Sequence, residues 1–465
     1  MILSLVFEGK GFMSPLLELM GAAGLLVLLG FSVVSWREGE RRACAVSVAF
    51  GLAIGTLYFL TASWLGPGGR SLGWGLILFP PVAGAVLWWP RPVGRRPERG
   101  FPRHRVDERD TMFSRRELVP GTSRYEEFYR NHPELEAVDE VWRCRPGLLA
   151  AGARYHHRLA FAAAEASFDT VDRLHGLVED PRETGSVPPE HPDDPESLTR
   201  FLLAWTRKLG ALDCGVTRLQ AQHLYTVGGR RERYGRTIRP RHPFAMAFTV
   251  EMDHRMMRAA PDASTVMESA QQYLSAGAIA VQAALALRRL GYRARAHIDA
   301  NYELICPLVA RDAGLGEIGR MGLLMTPRLG PRVRIGVVTT DAPLIESAPR
   351  EDPTVEEFCR ICRKCAAVCP SQAIPWDDAR EDDGVRRWRI DPAACFSYWC
   401  ASGTDCGRCV IACPFAHPDH PYHNLVRRGI RRSPLFRHLA LKMDDLFYGR
   451  KPRRGRLPSW LGPLS

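Results

Sequence analysis

Hydrophobic positions are spread unevenly along this chain of 465 residues. Three nearly unbroken apolar stretches come first, at roughly 15–36, 43–65 and 72–89, and Glu18 is the one charge inside them. The first two are long enough to cross a bilayer as helices. The third is shorter, but Trp74 and the Trp88–Trp89 pair suit the headgroup level. Beyond them polar and apolar positions alternate. Phe244 to Val250 and Val333 to Thr339 read as buried strands. Between these, Ala, Leu and Val recur at helical spacing as far as Leu290. Thr265 and Glu268 form a capping box at the start of that helix, and Gly291 stops it. The pattern predicts a mixed α/β unit over 121–350.

Charge adds orientation. Lys and Arg number 63 against 51 Asp and Glu, a formal charge of +12. The excess is nearly all Arg and gathers at 91–116 and 427–456. Neither stretch interleaves aromatics in a nucleic-acid motif, so no nucleic-acid partner is expected. The loop 37–42 and the stretch after Pro90 are rich in Arg, whereas the turn 66–71 carries only Arg70. Positive-inside counting then predicts a multi-pass inner-membrane protein, with the 37–42 loop and all of the downstream chain on the cytoplasmic side. Arg41–Arg42 precedes an apolar run, but a full hydrophobic segment lies ahead of it, unlike an export leader. The expected organisation is a three-helix anchor at 1–90, an extended basic linker at 91–120, the α/β unit, a cysteine module at 351–425 and a tail at 426–465.

The cysteines carry the chemistry. Cys359, Cys362, Cys365 and Cys369-Pro370 make one ferredoxin-spaced run, and Cys406, Cys409 and Cys413-Pro414 make most of a second. In two-cluster ferredoxins the last Cys of each run ligates the other cluster. Cys359, Cys362, Cys365 and Cys413 would then hold one [4Fe-4S] cluster, and Cys369, Cys406 and Cys409 three corners of another. Spacing leaves the fourth corner open between Cys395 and Cys400. Zinc sites favour paired Cys, not a run closed by Cys-Pro. Cys44, Cys144, Cys214 and Cys306 are scattered, which suits a reducing compartment. Gly314-Leu-Gly316-Glu317-Ile-Gly319 matches a dinucleotide fingerprint as a string, but a helix end and not a strand precedes it. His417, His420 and His423 follow the last Cys; Pro418 and Pro421 break any helix aligning them, so they are expected beside a cofactor or at the surface.

Over roughly 105–452 the chain resembles the corrinoid-dependent reductive dehalogenases. The matching stretches are Asp107 to Arg115, Tyr125 to Tyr129 with His132-Pro133-Glu134, and Tyr273. They continue through Leu290 to Arg293, Ala313 to Arg320, Arg334, Thr340 to Leu344 and Phe358-Cys359. Cys395-Phe-Ser-Tyr-Trp399 and Cys409 to Phe415 close the set. The resemblance implies a cobamide held in a nitroreductase-like α/β fold, contacted by Asn301, Gly314, Gly316 and Glu317. It selects Cys395 as the remaining cluster ligand. It further implies that Tyr273 gives the product its proton, with Arg334 as the cation beside it. The implied partners are a halogenated organic substrate and a low-potential donor such as ferredoxin, flavodoxin or a membrane protein. The apolar N-terminal stretches depart from the family pattern of a cleavable leader.

Two other readings remain open at this point. Epoxyqueuosine reductases share the corrinoid, the clusters and a Cys-x-Ser-Tyr signature, but typically carry Trp after the Gly-Leu-Gly run, where Glu317 stands. A membrane-bound iron–sulfur relay without catalysis would have no need of the long α/β unit.

Overall fold

The computed structural model describes residues 10–64, 67–90, 100–179, 193–348 and 352–462. Residues 91–99 of the expected linker lie outside the described residues. The chain divides into two compact units, Met1–Gly94 with Asp419–Arg453, and Arg95–Pro418 with Arg454–Ser465.

The first unit opens with α1 (Lys10–Arg37), α2 (Arg41–Ser63) and α3 (Pro67–Trp88). All three are long and apolar enough to cross a membrane, the third at a hydropathy of 1.5 against 2.1 and 2.0. Small residues let α1 and α2 approach closely. A Cβ at Gly21 would come within 2.7 Å of Tyr58 Cβ. The Tyr58 hydroxyl in turn donates to the Leu76 carbonyl at 2.9 Å, tying α3 to the pair.

The second unit begins with short helices α4 (Met112–Arg116), α5 (Ser123–Asn131) and α6 (Pro133–Arg143), followed by α7 (Arg158–Leu174) and α8 (Pro195–Lys208). Then come β1 (Asp213–Arg218), β2 (Phe244–Glu251), α9 (His254–Arg258), the long α10 (Ala263–Arg289) and β3 (Ala294–His297). Next are α11 (Cys306–Asp312), the hairpin β4 (Glu317–Ile318) and β5 (Leu324–Met325), and β6 (Val333–Thr340). The cysteine region holds α12 (Thr354–Cys362), α13 (Lys364–Val368), the hairpin β7 (Arg380–Asp382) and β8 (Val385–Arg387), α14 (Pro392–Ser402) and α15 (Arg408–Ile411). The chain then rejoins the first unit as α16 (Pro421–Arg432) and α17 (Pro434–Phe447).

One antiparallel sheet, ordered β1-β2-β6-β3, organises the second unit. Both of its faces are covered, which is why β2 and β6 read as continuous apolar runs and not as alternating ones. On one side Met246, Phe248 and Val338 pack against Ala276, Ile279, Ala280, Ala283 and Leu287 of α10. On the other, Ala245, Ala247 and Val337 pack against Val309, Ala310 and Leu315 around α11. The alanine-rich α10 has high helix propensity and a narrow side, which seats it close on the strands.

Several expectations change here. Helix α10 starts two residues before Thr265, capped by Asp262, whose side chain accepts from Ala263 N at 2.9 Å. Thr265 and Glu268 are buried inside the helix, and Glu268 Oε1 accepts from Asp253 N at 2.6 Å. Gly291, at φ +94°, does follow the helix end. The described part of the linker, 100–120, is folded and not extended. Buried Glu108 accepts from Gly229 N at 2.7 Å and pairs with Arg233 at 3.1 Å, which fixes α4 on the second unit. The Gly314 run is preceded by helix α11, as its sequence context indicates.

Gly336 sits opposite Phe248 in the β2–β6 ladder, and a Cβ there would run into the Phe248 ring. Gly336→Ala is expected to destabilise the second unit by about 1–3 kcal/mol through overpacking, read as a lowered midpoint in denaturant unfolding.

Candidate functional site

Ser269 and Tyr273 are one helical turn apart on α10 and so share a face. Arg334 extends from β6 toward that face. Its guanidinium carbon lies 4.6 Å from the Tyr273 ring centroid, within cation–π range. Its Nη2 donates to Ser269 Oγ at 2.6 Å and to Asp405 Oδ2 at 2.7 Å. Ser269 Oγ also donates to Asp405 Oδ2. Asp405 immediately precedes Cys406, so one carboxylate connects the sheet, the long helix and the second cysteine run.

Arg334 is the largest influence on the Tyr273 phenol and pulls its pKa down. Burial, together with Asp299, Asp405 and Cys306, pushes it up, and the net direction is upward. Tyr273 is therefore a protonated phenol at neutral pH, held beside a cation that would stabilise its conjugate base. Both residues line a cavity of about 410 Å³, together with Tyr225, Tyr302, Met252 and Met257. Cys369, Cys395, Cys406 and Cys409 line the same cavity. Met112 and Phe113 of α4 also face it, so the segment expected as linker contributes to its wall.

The seven run-forming cysteines and Cys395 separate into two sets. The Cys413 thiol is raised by burial and then by Cys362, Cys359 and Cys365. The Cys406 thiol is pushed up to about 12, first by burial and also by Cys395 and Cys369. Cys409 senses Cys406, Cys365, Cys395 and Cys369. Cys400 belongs to neither set; it is fully buried in an apolar cluster with Trp142 and Phe396. Among the described residues no three His, Cys, Asp or Glu side chains gather around a single point as one zinc ion requires.

Other expected contacts fall elsewhere. Asn301 does not line the cavity; its Oδ1 accepts from Arg295 Nη2 at 2.7 Å, and its neighbour Tyr302 faces the space instead. Gly314, Gly316 and Glu317 are likewise absent from the lining residues. Gly314 has φ +81°, and Gly316 is pressed against the backbone of Met325, so the run is a tight structural turn. A Cβ at the adjacent Gly319 would lie 3.7 Å from Cys359 Sγ, which places the turn beside the first cysteine set. His420 and His423 belong to the first unit, where His423 Nε2 lies 3.0 Å from a Glu38 carboxylate oxygen. The sequence reading missed Asp405, Ser269 and Tyr302; the position of Asp405 directly before Cys406 was the one available signal.

The residues fit the groups that the cysteine spacing implies. Burial pushes the Cys359, Cys365, Cys395, Cys406, Cys409 and Cys413 thiols up, and iron would offset that by coordinating them as thiolates. Arg320 is fully buried and donates to the carbonyls of Cys359 and Pro375 at 3.1 and 2.8 Å, while its Nη2 has no partner. Near the cavity, Arg334 Nε and Asp405 Oδ1 are also buried without partners. A largely apolar space with such orphaned polar atoms suits a large cofactor bearing polar edges.

These features define a mixed α/β protein with an iron–sulfur dicluster region, and a family profile described as a 4Fe-4S dicluster domain matches residues 358–417. Tetrachloroethene reductive dehalogenase of Desulfitobacterium hafniense is 36% identical over 213 residues, 43% of this chain and 38% of that protein. The enzyme of the same name from Sulfurospirillum multivorans is 34% identical over 224 residues, 46% of this chain and 44% of that one. Among solved structures, the K488Q variant of catabolic reductive dehalogenase NpRdhA superposes with a TM-score of 0.62 at 24% identity, over 78% of this chain and 49% of that chain. Epoxyqueuosine reductase of a Synechococcus species is 31% identical over 144 residues, 28% of this chain and 41% of that protein. The chain spans less than half the length of each of these relatives. Over these spans it is similar to the reductive dehalogenases.

Cys395 faces the cavity and Cys400 the apolar cluster, so substitution separates them. Cys395→Ser is expected to lose up to about half of the bound iron under anaerobic purification, whereas Cys400→Ser keeps it, read by iron and sulfide analysis.

Proposed function

We propose that this protein is a membrane-anchored reductive dehalogenase that uses a cobamide and two [4Fe-4S] clusters to replace halogen by hydrogen on an organohalide. The overall change takes two electrons and one proton, releases halide and forms a carbon–hydrogen bond. Cys359, Cys362, Cys365 and Cys413 would hold one cluster, and Cys369, Cys395, Cys406 and Cys409 the other, nearer the cavity. When bound, the cobamide supplies the low-potential chemistry that cleaves the carbon–halogen bond.

The chain's own residues handle the proton and the substrate. Tyr273 gives its phenolic proton to the organic fragment, and Arg334 stabilises the phenolate left behind. Ser269 and Asp405 hold Arg334 over the ring. Aromatic and apolar walls, including Tyr225, Tyr302, Met112 and Phe113, exclude water and suit an apolar halogenated compound. The observation that carries the reading is one cavity shared by Tyr273, Arg334 and four of the cluster cysteines.

The helices α1–α3 would anchor the protein in the inner membrane. The distribution of Arg around them favours a cytoplasm-facing second unit served by ferredoxin, flavodoxin or a membrane donor. The similarity to an epoxyqueuosine reductase supports a second reading, reduction of that nucleoside in tRNA by the same cofactors. Assaying reconstituted protein on halogenated organics and on epoxyqueuosine tRNA separates the two. Tyr273→Phe is expected to lower dehalogenation at least about a hundredfold while iron and corrinoid content stay unchanged. Full turnover by that variant would remove Tyr273 from the reaction.

A further inference from the structure

Helix α17 carries a row of apolar side chains that nothing described covers. Leu435, Leu439, Met443 and Leu446 are 42, 38, 37 and 37% exposed. They recur at three- or four-residue intervals, so they form one stripe along the helix. Exposed His438 and Lys442 run along one edge of that stripe. The opposite face, with Arg437, Ala440, Leu441 and Phe447, is buried. Helix α16 repeats the arrangement more briefly, exposing Leu425 and Val426 beside Arg428 and Arg432.

The buried side docks on the apolar helices of the same unit. Phe447 meets Phe31 of α1 and Phe50 of α2 with ring centroids 5.6 and 6.3 Å apart. Tyr422 OH donates to Val27 O at 3.1 Å, and His423 lies 3.0 Å from Glu38. Arg42 Nε donates to Leu446 O and Arg432 Nε to Trp88 O, each at 3.1 Å. These partners lie in the C-terminal half of α1 and the loop after it, the N-terminal half of α2 and the end of α3. In an up–down–up bundle those parts belong to one side, the side that carries Arg37, Arg41 and Arg42. The helix pair therefore packs against the flank of the bundle near that end, with its exposed stripe turned outward.

We propose that α16 and α17 form an in-plane collar whose exposed stripe is immersed in the acyl boundary of the bilayer, with its basic edge at the headgroups. The proposal rests on reading α1–α3 as membrane-spanning. A stripe flanked by Arg, His and Lys is what an interfacial helix presents to an anionic lipid surface, the cations reaching up to phosphate while the apolar side sinks. A second copy of the chain is a poorer occupant, because a two-fold contact through this face would set the same cationic edges against each other.

The test uses the full wild-type chain, reconstituted into phosphatidylglycerol–phosphatidylcholine nanodiscs with a trace of phospholipid bearing a diazirine on its acyl chain. After irradiation and digestion, mass spectrometry locates the adducts. The expected result is labelling at Leu435, Leu439, Met443 and Leu446 alongside α1–α3, with none at Ala440 or Leu441. Labelling of α1–α3 without α17 overturns the collar and leaves the anchor standing, as does a crosslink between copies through the stripe. Release of the chain from native membranes by alkaline carbonate overturns the anchor itself and the collar with it.

Discussion

The hydrogen-bonded contact among Arg334, Ser269 and Asp405 is the interaction on which the candidate site depends. Each partner comes from a different element: a central strand, the long helix and the loop that opens the second cysteine run. Arg334 and Asp405 are largely removed from water, with side-chain exposures of 20 and 11% at a separation of 2.7 Å. Removing one member of a buried pair leaves an uncompensated charge, at a typical cost of about 3–5 kcal/mol. The contact thus fixes where the cation sits over Tyr273 and ties that position to the loop carrying Cys406. Sheet, phenol and cysteine run are arranged as one object because a single carboxylate bridges them.

That bridge explains why the site has its particular electrostatics. A guanidinium beside a buried phenol lowers its pKa, yet Asp405 and Asp299 return negative charge to the same neighbourhood. The phenol stays protonated until something nearby takes the proton. Residues with this balance suit a single proton delivery at a water-poor centre better than repeated exchange with solvent. The cavity walls are largely apolar, with aromatic and Met side chains among them, and offer few polar partners beside the phenol.

The sequence was informative where one local rule dominates. The buried strands β2 and β6 were legible because both faces of the sheet are covered, and the three apolar helices because of their length and unbroken apolar composition. The cysteine runs were legible because cluster ligation fixes short spacings. Tyr273 and Arg334 lie far apart in sequence, and only resemblance to a family pointed to them. Asp405 and Ser269 carry no periodic signal at all, since a bridging contact is visible only after folding. The stretch 100–120 misled because its Pro and Arg content suggests solvation, whereas Glu108, Arg115 and Phe113 are bound into the second unit. His423 misled for a related reason: its partner Glu38 lies 385 positions away, in a loop whose Arg content suggested only topology. Asn301 shows the limit of carrying a role by alignment, because the local Arg295 holds its amide oxygen.

The central claim is that eight cysteine thiols, five of them buried, hold two iron–sulfur clusters next to a cavity occupied by a corrinoid. The most direct measurement is quantitative iron, sulfide and corrinoid analysis of full-length protein purified without oxygen after reconstitution. The account predicts paired cubane signatures and a stoichiometric corrinoid in the same preparation. Protein that retains zinc in place of iron, or that takes up iron and sulfide but no corrinoid, would contradict it.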